Sequence, residues 1–372
     1  DRIMRLYQRD KNRGNTSVIM WSLGNEAGGY HNTDAMYDYL KQHSPLPVHY
    51  ESAIHCKRQA YDVGSEMYPS VKMVHNVGEK RRKQARLNDR PYFMCEYAHA
   101  MGVGPGNTEA YWQEIYNYDN LMGGCVWEMV DHAVLHTDGS YTYGGDHGEW
   151  EHDRNFCVDG LFYPDRSPST GAKLMRFIYR PIRVAHVSGG QFEVFNTTAF
   201  STGRYRLAFR WNDGSKTILT QQTAPLTKET VTVPLGRAVD GLLAVIVETT
   251  DTVTGQIVSE EQLVLAQEVA AAPAVKPLPG DVTVEKGRLV CRKSGVVVVA
   301  GADEGTLLYR APTDNDVDAM FHNLMVLYTR QTEETVSTQQ TADGWQVVTK
   351  ITNKRGHYMV TDTYKGTDSG VL

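Results

Sequence analysis

The sequence predicts an α/β domain followed by all-β domains. Two observations predict this order: short apolar runs alternate with helical patterns over residues 1–180, and period-two alternation replaces them from residue 181 onward. The chain has 372 residues, of which 41% are hydrophobic and 22% charged, as expected for a packed protein of two or three domains. Strands that alternate with helices indicate a parallel sheet, and we expect that sheet to be part of a (β/α)8 TIM barrel.

Five strand units are predicted in residues 1–180, each a short apolar run bounded by polar or turn residues. They begin at Ser17, Val48, Val63, Tyr92 and Gly124. Helices are predicted at residues 34–42, with Thr33 as N-cap, and from Thr108, also as N-cap, to about residue 118. A closed barrel needs eight strands. We therefore expect the first three strands to lie outside this chain, and residues 1–180 to be the C-terminal half of the barrel.

The second half of the chain is predicted to be β structure throughout. Strand-like runs at Gln191–Asn196, Tyr205–Trp211, Thr230–Val233 and Leu242–Glu248, with the turn signal Asn212–Gly214, favour an immunoglobulin-like β-sandwich over residues 181–268. Residues 269–280 are rich in Ala and Pro and are predicted to be a linker. Residues 281–372 are predicted to be the N-terminal part of a further β-sandwich domain.

Charge and cysteine usage exclude several classes of function. A formal net charge of -6 argues against nucleic acid or an anionic membrane surface as the main partner. Within the sequence, no apolar run approaches the roughly 18 residues of a membrane span. The five cysteines are scattered without a CxxC spacing, which argues against a zinc ribbon or a thioredoxin-like centre and favours a cytoplasmic protein with reduced thiols.

Two glutamates stand at the ends of apolar strand-like runs, Glu26 after Ser17–Leu23 and Glu96 after Tyr92–Cys95. The carboxyl ends of barrel strands meet at one rim, where barrel enzymes place their chemistry. Glycoside cleavage requires one protonated and one ionised carboxyl group, so this pair predicts a glycosidase. The alternative for each glutamate is a charge at a helix N-terminus.

Five motifs, in chain order, resemble the large bacterial β-galactosidases of glycoside hydrolase family 2. They are Ile19–Glu26, Cys95–Gly102, Gly123–Trp127, Arg154–Gly160 and Arg310–Asp316. The resemblance is strongest over residues 15–185. It implies that the chain spans the second half of a catalytic barrel, the following sandwich and the opening of the last domain, where Arg310–Asp316 lies.

The activity that this resemblance implies is hydrolysis of terminal β-D-galactosides such as lactose by a retaining double displacement. Glu26 would be the acid/base and Glu96 the nucleophile. The resemblance also implies Mg²⁺, with Glu26 as one ligand, and Na⁺, held by the backbone carbonyl of Phe156 and the side chain of Asp159. Most relatives carry Asn at the latter position, and Asp adds a negative charge there. Relatives of this kind often form homo-oligomers.

Four further residues are implied to bind the galactoside, and each has a structural alternative. The alternative is a turn residue for Asn25 and a rim or core position for Tyr68. For His99 it is a hydrogen bond to a loop carbonyl, and for Trp127 it is core packing. Asn25 would contact the sugar 2-hydroxyl, and Tyr68 would lie beside the nucleophile. His99 would contact a sugar hydroxyl, and Trp127 would stack on the apolar face of the sugar.

Two other interpretations remain open. A related β-glucuronidase or β-mannosidase would share the Asn-Glu pair, but the sequence His-Ala-Met-Gly over residues 99–102 points to galactosides, and no basic residues are placed for a uronate. The other interpretation is an inactive fragment of the enzyme, because five strands would leave two open sheet edges.

Overall fold

The computed structural model describes residues 1–58, 60–82, 88–102, 104–267, 282–285, 288–292, 297–299, 332–353, 356–367 and 370–371. The chain separates into two compact units, Asp1–Gln267 and Glu268–Leu372. The first unit contains the parallel strands and an antiparallel sandwich, and the second contains antiparallel strands.

The first part of unit one alternates helices with short parallel strands. In chain order it contains α1 (Arg2–Asn12), β1 (Trp21–Ser22), α2 (His31–His43), β2 (Val48–His49), β3 (Gly64–Met67), α3 (Val71–Gly78), β4 (Tyr92–Tyr97), α4 (Thr108–Asn117) and β5 (Leu121–Val126), with a 3-10 turn at Ala53–His55. Strand β1 pairs in parallel with β2, and β3, β4 and β5 form a second parallel sheet in that order. The five predicted strand units are therefore present, although β1 is much shorter than the predicted run.

Apolar side chains at helical and strand spacing form two cores beneath these strands. Helix α1 buries Ile3 and Tyr7 against Trp21 of β1 and Leu40 of α2. The second core packs α3 and α4 against β4 and β5, and includes Val74, Val77, Tyr92, Met94, Ile115 and Leu121. Each large apolar side chain that is fully buried stabilises the fold by roughly 1.5–3 kcal/mol. These cores hold the carboxyl ends of the strands in place.

His49 of β2 connects the two parallel sheets through its side chain. Its Nδ1 lies 3.1 Å from Ser22 Oγ on β1, and its Nε2 lies 2.8 Å from Ser65 Oγ on β3. Burial lowers the pKa of His49 to about 4, and the charge of Glu51 opposes that shift. The imidazole is therefore neutral near pH 7, where it can donate from one ring nitrogen and accept at the other.

Two predicted N-caps are wrong. Helix α2 begins at His31, with Tyr30 at the N-cap, because the Thr33 hydroxyl donates to the carbonyl oxygen of Tyr30 at 2.6 Å instead of accepting from a later amide. Helix α4 begins at Thr108 itself, and its N-cap is Asn107. Local backbone partners, which a sequence pattern does not show, decide both positions.

A long segment follows β5 and leads to the sandwich. It contains the short antiparallel pair β6 (Val134–Leu135) and β7 (Tyr141–Thr142), and then helix α5 (Thr170–Ile178). Val130 and Phe162 form an isolated parallel bridge, so part of this segment lies alongside the chain that follows β5. Ser169 caps α5 by accepting a hydrogen bond from the amide of Ala172 at 3.2 Å.

Seven antiparallel strands form two facing sheets after α5. They are β8 (Ile182–Ser188), β9 (Gln191–Asn196), β10 (Tyr205–Trp211), β11 (Lys216–Thr220), β12 (Lys228–Thr232), β13 (Leu242–Asp251) and β14 (Ile257–Gln267). The sheet orders are β12-β9-β8 and β11-β10-β13-β14. Inward side chains of both sheets share one core, which includes Ile182, Phe192, Phe209 and Val247. The turn predicted at Asn212–Gly214 joins β10 to β11.

Contacts of charged side chains join the sandwich to α4 and to the segment between α5 and β8 within unit one. Arg180 Nε lies 3.0 Å from Glu261 Oε2 on β14, and both side chains are buried. Glu261 Oε1 accepts a hydrogen bond from the amide of Val184 on β8 at 3.0 Å. Arg183 pairs with Glu109 on α4. These contacts connect α4 and the linking segment to both sheets.

The second unit contains antiparallel strands. They are β15 (Val282–Glu285), β16 (Arg288–Cys291), β17 (Val297–Val299), β18 (Thr332–Gln340), β19 (Gly344–Asn353), β20 (Gly356–Thr367) and β21 (Gly370–Val371). Their sheet orders are β15-β16-β17 and β18-β19-β20-β21. The predicted linker at residues 269–280 and the motif Arg310–Asp316 lie outside the described residues.

Among the described residues, none of the helices combines the length and the apolar character that crossing a bilayer requires.

Candidate active site

Glu26 follows β1 on an exposed turn with an unusual backbone. Its φ is +47°, in the left-handed region that side chains other than glycine rarely adopt. Such a conformation costs roughly 1–3 kcal/mol and persists only where neighbouring contacts impose it. One such contact is the amide of Glu26, which donates to Glu51 Oε1 at 2.9 Å. The predicted sugar ligand Asn25 precedes Glu26 on this turn and is also exposed.

Glu96 lies inside β4, which runs to Tyr97, so the strand is longer than predicted and contains this glutamate. The Tyr68 hydroxyl donates to Glu96 Oε2 at 2.9 Å, and the Tyr68 amide donates to the Glu96 carbonyl at 2.8 Å. Partial burial, followed by the hydrogen bond and charge of Glu96, raises the pKa of Tyr68. The phenol of Tyr68 therefore stays protonated near neutral pH and donates a hydrogen bond to this carboxylate.

Trp127, His99 and Asp159 meet beyond the end of β5. The Trp127 indole N–H donates to Asp159 Oδ2 at 3.0 Å, and His99 Nε2 lies 3.7 Å from the same oxygen. Asp159 is buried, whereas the Trp127 ring is 37% exposed, so this tryptophan is not a core residue. His99 is 6.0 Å from Tyr68 and 6.3 Å from Phe156 between ring centroids. The structure thus brings these predicted residues into one neighbourhood.

Glu128 adds a further carboxyl group beside Asp159. Burial, followed by the hydrogen bond and charge of Asp159, raises the pKa of Glu128 well above that of a free glutamate, and the nearby His132 opposes this shift. His132 Nε2 lies 3.2 Å from Glu128 Oε1. Two neighbouring carboxyl groups cannot both ionise without repulsion, so they tend to share a proton.

Three strand ends carry a residue other than glycine at positive φ. Glu26 follows β1, Tyr68 follows β3 and Ala98 follows β4, with φ values of 47°, 49° and 53°. Strained backbone of this kind concentrates at functional sites because the surrounding contacts hold side chains in fixed directions. All three positions lie at the carboxyl ends of parallel strands, the end at which barrel enzymes place their active sites.

The residues implied to hold metals fit to different degrees. Among the described residues, no group of three or more His, Cys, Asp or Glu side chains is arranged to hold a metal ion, at Glu26 or elsewhere. Asp159 Oδ1 is buried and has no hydrogen-bond partner within the described part of the chain. An unpartnered buried carboxylate oxygen suits a hard cation such as Na⁺, with the Phe156 carbonyl close by in sequence.

Sequence reasoning missed two carboxylates that belong to this neighbourhood. Glu51 directly follows the predicted strand Val48–Tyr50, and Glu128 directly follows the predicted strand Gly124–Trp127. The signal that selected Glu26 and Glu96, a carboxylate just past an apolar run, is present at both positions. Applied to every strand end, that rule would have found them.

The part of the chain that contains these carboxylates matches a known protein family. Residues 1–184 match the family model described as "Glycosyl hydrolases family 2, TIM barrel domain". We call residues 1–184 the family 2 segment; it makes up 184 of the 372 residues. The parallel strands and every predicted site residue from Asn25 to Asp159 lie inside this family 2 segment.

Two curated relatives also match the chain. The chain is 40% identical over 208 residues to a β-galactosidase of Actinobacillus pleuropneumoniae, which covers 54% of this chain and 20% of the relative. It is 41% identical over 179 residues to a β-galactosidase of Leuconostoc mesenteroides, which covers 45% of this chain and 17% of the relative. The chain thus spans about a fifth of the length of these relatives.

A solved β-glucuronidase of Bacteroides uniformis also matches. It is 13% identical, with a TM-score of 0.31, and the match covers 68% of this chain and 34% of that chain. This similarity is too low to support an argument about fold or substrate.

Proposed function

We propose that the protein that carries this chain is a β-galactosidase that cleaves terminal β-D-galactosides, such as lactose, with retention. The observation that carries the proposal is the hydrogen bond from Tyr68 to Glu96 at the carboxyl end of the parallel sheet. It is supported by the similarity of the chain, over 208 and 179 residues, to two curated β-galactosidases. The proposed arrangement is a barrel part, an immunoglobulin-like sandwich and the start of a further sandwich.

Glu96 would attack the anomeric carbon as an ionised carboxylate. The Tyr68 hydroxyl bonds one of its oxygens, which stabilises the charge and leaves the other oxygen to form the glycosyl bond. Glu26 would protonate the departing oxygen and then remove a proton from the water that releases the sugar. The exposed face of Trp127 and the side chains of Asn25 and His99 would bind the galactose.

Metals and assembly extend this proposal. Glu26 would contribute one ligand to Mg²⁺, which supplies positive charge near the sugar when bound. Asp159 and the carbonyl of Phe156 would hold Na⁺. We also expect the protein that carries this chain to form a homo-oligomer and to be cytoplasmic.

Replacement of the proposed nucleophile tests the assignment. In the protein as its gene encodes it, Glu96→Gln should reduce turnover of a chromogenic galactoside by at least about a thousandfold, because the amide cannot form the glycosyl ester. Thermal unfolding of the same variant checks that it folds. Turnover near that of the unchanged protein would overturn the nucleophile assignment.

The 372-residue chain on its own should show negligible turnover. It covers only 17–20% of the relatives described above, and residues 1–184 as described contain five of the eight strands of a closed barrel. A chromogenic assay of this chain beside the longer gene product measures the difference. Strong activity from the chain alone would reject this proposal.

A further inference from the structure

Glu51 is a deeply buried carboxylate for which the mechanism above has no role. It follows β2 and is only 2% exposed. Its Oε1 accepts the amide N–H of Glu26 at 2.9 Å, and its Oε2 accepts the hydroxyl of Ser52 at 2.5 Å. One of its two carboxylate oxygens is therefore hydrogen-bonded to the backbone of Glu26, the proposed acid/base.

A buried carboxylate usually has a cation beside it, and Glu66 of β3 shows that arrangement. Glu66 is also buried, and its carboxyl contacts Arg82 at 3.2 Å and accepts from the Tyr92 hydroxyl at 2.5 Å. Among the ion pairs of the described residues, none includes Glu51. Desolvation of an unpaired carboxylate is unfavourable unless hydrogen bonds compensate. For Glu51 the compensating donors are the Glu26 amide and the Ser52 hydroxyl.

Glu51 also contacts the strand of the other proposed catalytic glutamate. The Cys95 thiol lies 3.8 Å from the Glu51 carbonyl oxygen, and Cys95 immediately precedes Glu96. One residue thus contacts the backbone of Glu26 through its side chain and the residue before Glu96 through its main chain.

The turn at Glu26 needs an external contact to keep its shape. Gly24, Glu26, Gly28 and Gly29 all have positive φ, so this segment folds through conformations that most residues avoid. An added Cβ at Gly29 would lie 2.5 Å from the sulfur of Cys56, which shows that the turn is packed closely on its inner side. The charged acceptor of Glu51 fixes the amide in the middle of this turn.

We propose that Glu51 is a positioning residue that fixes the backbone of Glu26 and thereby aims its carboxyl group at the glycosidic oxygen. The proposal rests on the proposed function, because it assumes that Glu26 is the acid/base. A purely structural role for Glu51 would affect all substrates alike. A positioning role affects most strongly the substrates whose leaving group needs a proton.

Leaving-group dependence separates these two roles. In the protein as its gene encodes it, kcat/KM is measured for methyl β-D-galactoside, which needs protonation, and for 2,4-dinitrophenyl β-D-galactoside, which needs little. Glu51→Met should lower the first value by about 10- to 100-fold, because small misplacements of a reacting group have effects of that size. The second value should stay within about threefold. Added azide should accelerate turnover of the dinitrophenyl substrate by this variant.

Three matched variants complete the design. Glu26→Ala sets the pattern expected when the acid/base is lost. Glu51→Gln keeps an oxygen that can accept the Glu26 amide, so its values for both substrates should lie within about threefold of the unchanged protein. Glu66→Gln perturbs a carboxyl buried to a similar degree but bonded elsewhere, and should change both substrates by the same factor.

The outcomes distinguish the two claims. If Glu26→Ala shows neither leaving-group dependence nor azide acceleration, the acid/base assignment fails. If Glu26→Ala shows both and Glu51→Met behaves like Glu66→Gln, the positioning proposal fails.

A measurement on the unchanged protein covers the case in which Glu51→Met does not fold. The amide of Glu26 should exchange its hydrogen slowly, although the residue is exposed, because Glu51 holds it. Exchange as fast as that of an unprotected loop amide would overturn the proposal.

Discussion

At the scale of single residues, Tyr68 and Glu96 are coupled by side-chain and backbone hydrogen bonds across two neighbouring strands. The phenol donates to the carboxylate at 2.9 Å, and the raised pKa of Tyr68 keeps the phenol protonated. A hydrogen bond to a charged group contributes about 1.5–3 kcal/mol. Its loss would leave the carboxylate less well oriented and less stabilised.

We therefore expect Tyr68→Phe to lower kcat by about 10- to 100-fold, since each 1.36 kcal/mol corresponds to a factor of ten. Stability should change little, because Tyr68 is 44% exposed. Steady-state kinetics and thermal unfolding of the gene product measure both quantities. An unchanged kcat would show that this bond does not matter in the rate-limiting step.

Most residues of the candidate site could be predicted from the sequence, but their hydrogen bonds could not. Glu26, Glu96, Tyr68 and Trp127 were predicted from the sequence; the structure places Glu96 as the penultimate residue of β4, and the other three after the ends of β1, β3 and β5. Which oxygen accepts which amide was beyond the sequence, because the bond from Glu26 to Glu51 joins residues 25 positions apart through a turn of unusual φ. Such contacts depend on the closed fold and leave no local pattern.

At the scale of secondary-structure elements, His49 connects β1, β2 and β3 through two serine hydroxyls. Its folded pKa of about 4 lies below the ordinary value of 6.5, so the unfolded chain binds more protons between these values. The stabilisation is therefore fully present above pH 6.5 and is lost as pH falls toward 4. The largest possible loss from this group is about 3 kcal/mol.

Urea unfolding at pH 7 and pH 4.5 tests this linkage. The unchanged chain should lose more stability between these pH values than His49→Gln, which has no group that titrates there. His55→Gln, at an exposed position, should retain the pH dependence of the unchanged chain. The same pH dependence in all three proteins would contradict the assignment of this loss to His49.

The sequence predicted strands well where apolar alternation was strong and poorly where it was weak. Strands β9 and β10 were predicted with their observed bounds, and both place large apolar side chains in the sandwich core. The edge strand β11 and strand β14 were missed. Strand β11 alternates exposed with half-buried residues, and β14 carries Glu260 and Glu261 near its middle. Pairing with neighbouring strands, not local pattern, forms these two.

At the scale of the whole molecule, the family 2 segment and the sandwich belong to one compact unit. Arg180 and Glu261 form a buried contact between the segment that joins α5 to β8 and strand β14. Burial raises the pKa of Glu261, and the charge of Arg180 opposes that shift. Removal of the glutamate would leave the buried Arg180 with a longer carboxylate contact, to Glu109 at 3.5 Å, beside its hydrogen bond to the Phe177 carbonyl at 2.9 Å.

We expect Glu261→Ala to lower the free energy of unfolding by about 3–5 kcal/mol, which is typical when one partner of a buried ion pair is removed. Glu260→Ala is the matched control, because Glu260 is the preceding residue on β14 and its exposed side chain pairs with Arg210. That control should cost about 0–1 kcal/mol. Urea unfolding measures the free energy of unfolding of both variants. An equal loss in the two variants would show that the buried contact contributes no more to stability than the exposed one.

The central claim is that Glu96 forms a covalent bond with galactose. Its most direct test treats the gene product with 2,4-dinitrophenyl 2-deoxy-2-fluoro-β-D-galactoside, whose fluorine slows release of the sugar, and then locates the label by peptide mass spectrometry. We predict one fluorogalactosyl group per chain, attached to Glu96 and absent from Glu96→Gln. A label on another carboxylate, or turnover without any trapped sugar, would contradict the account.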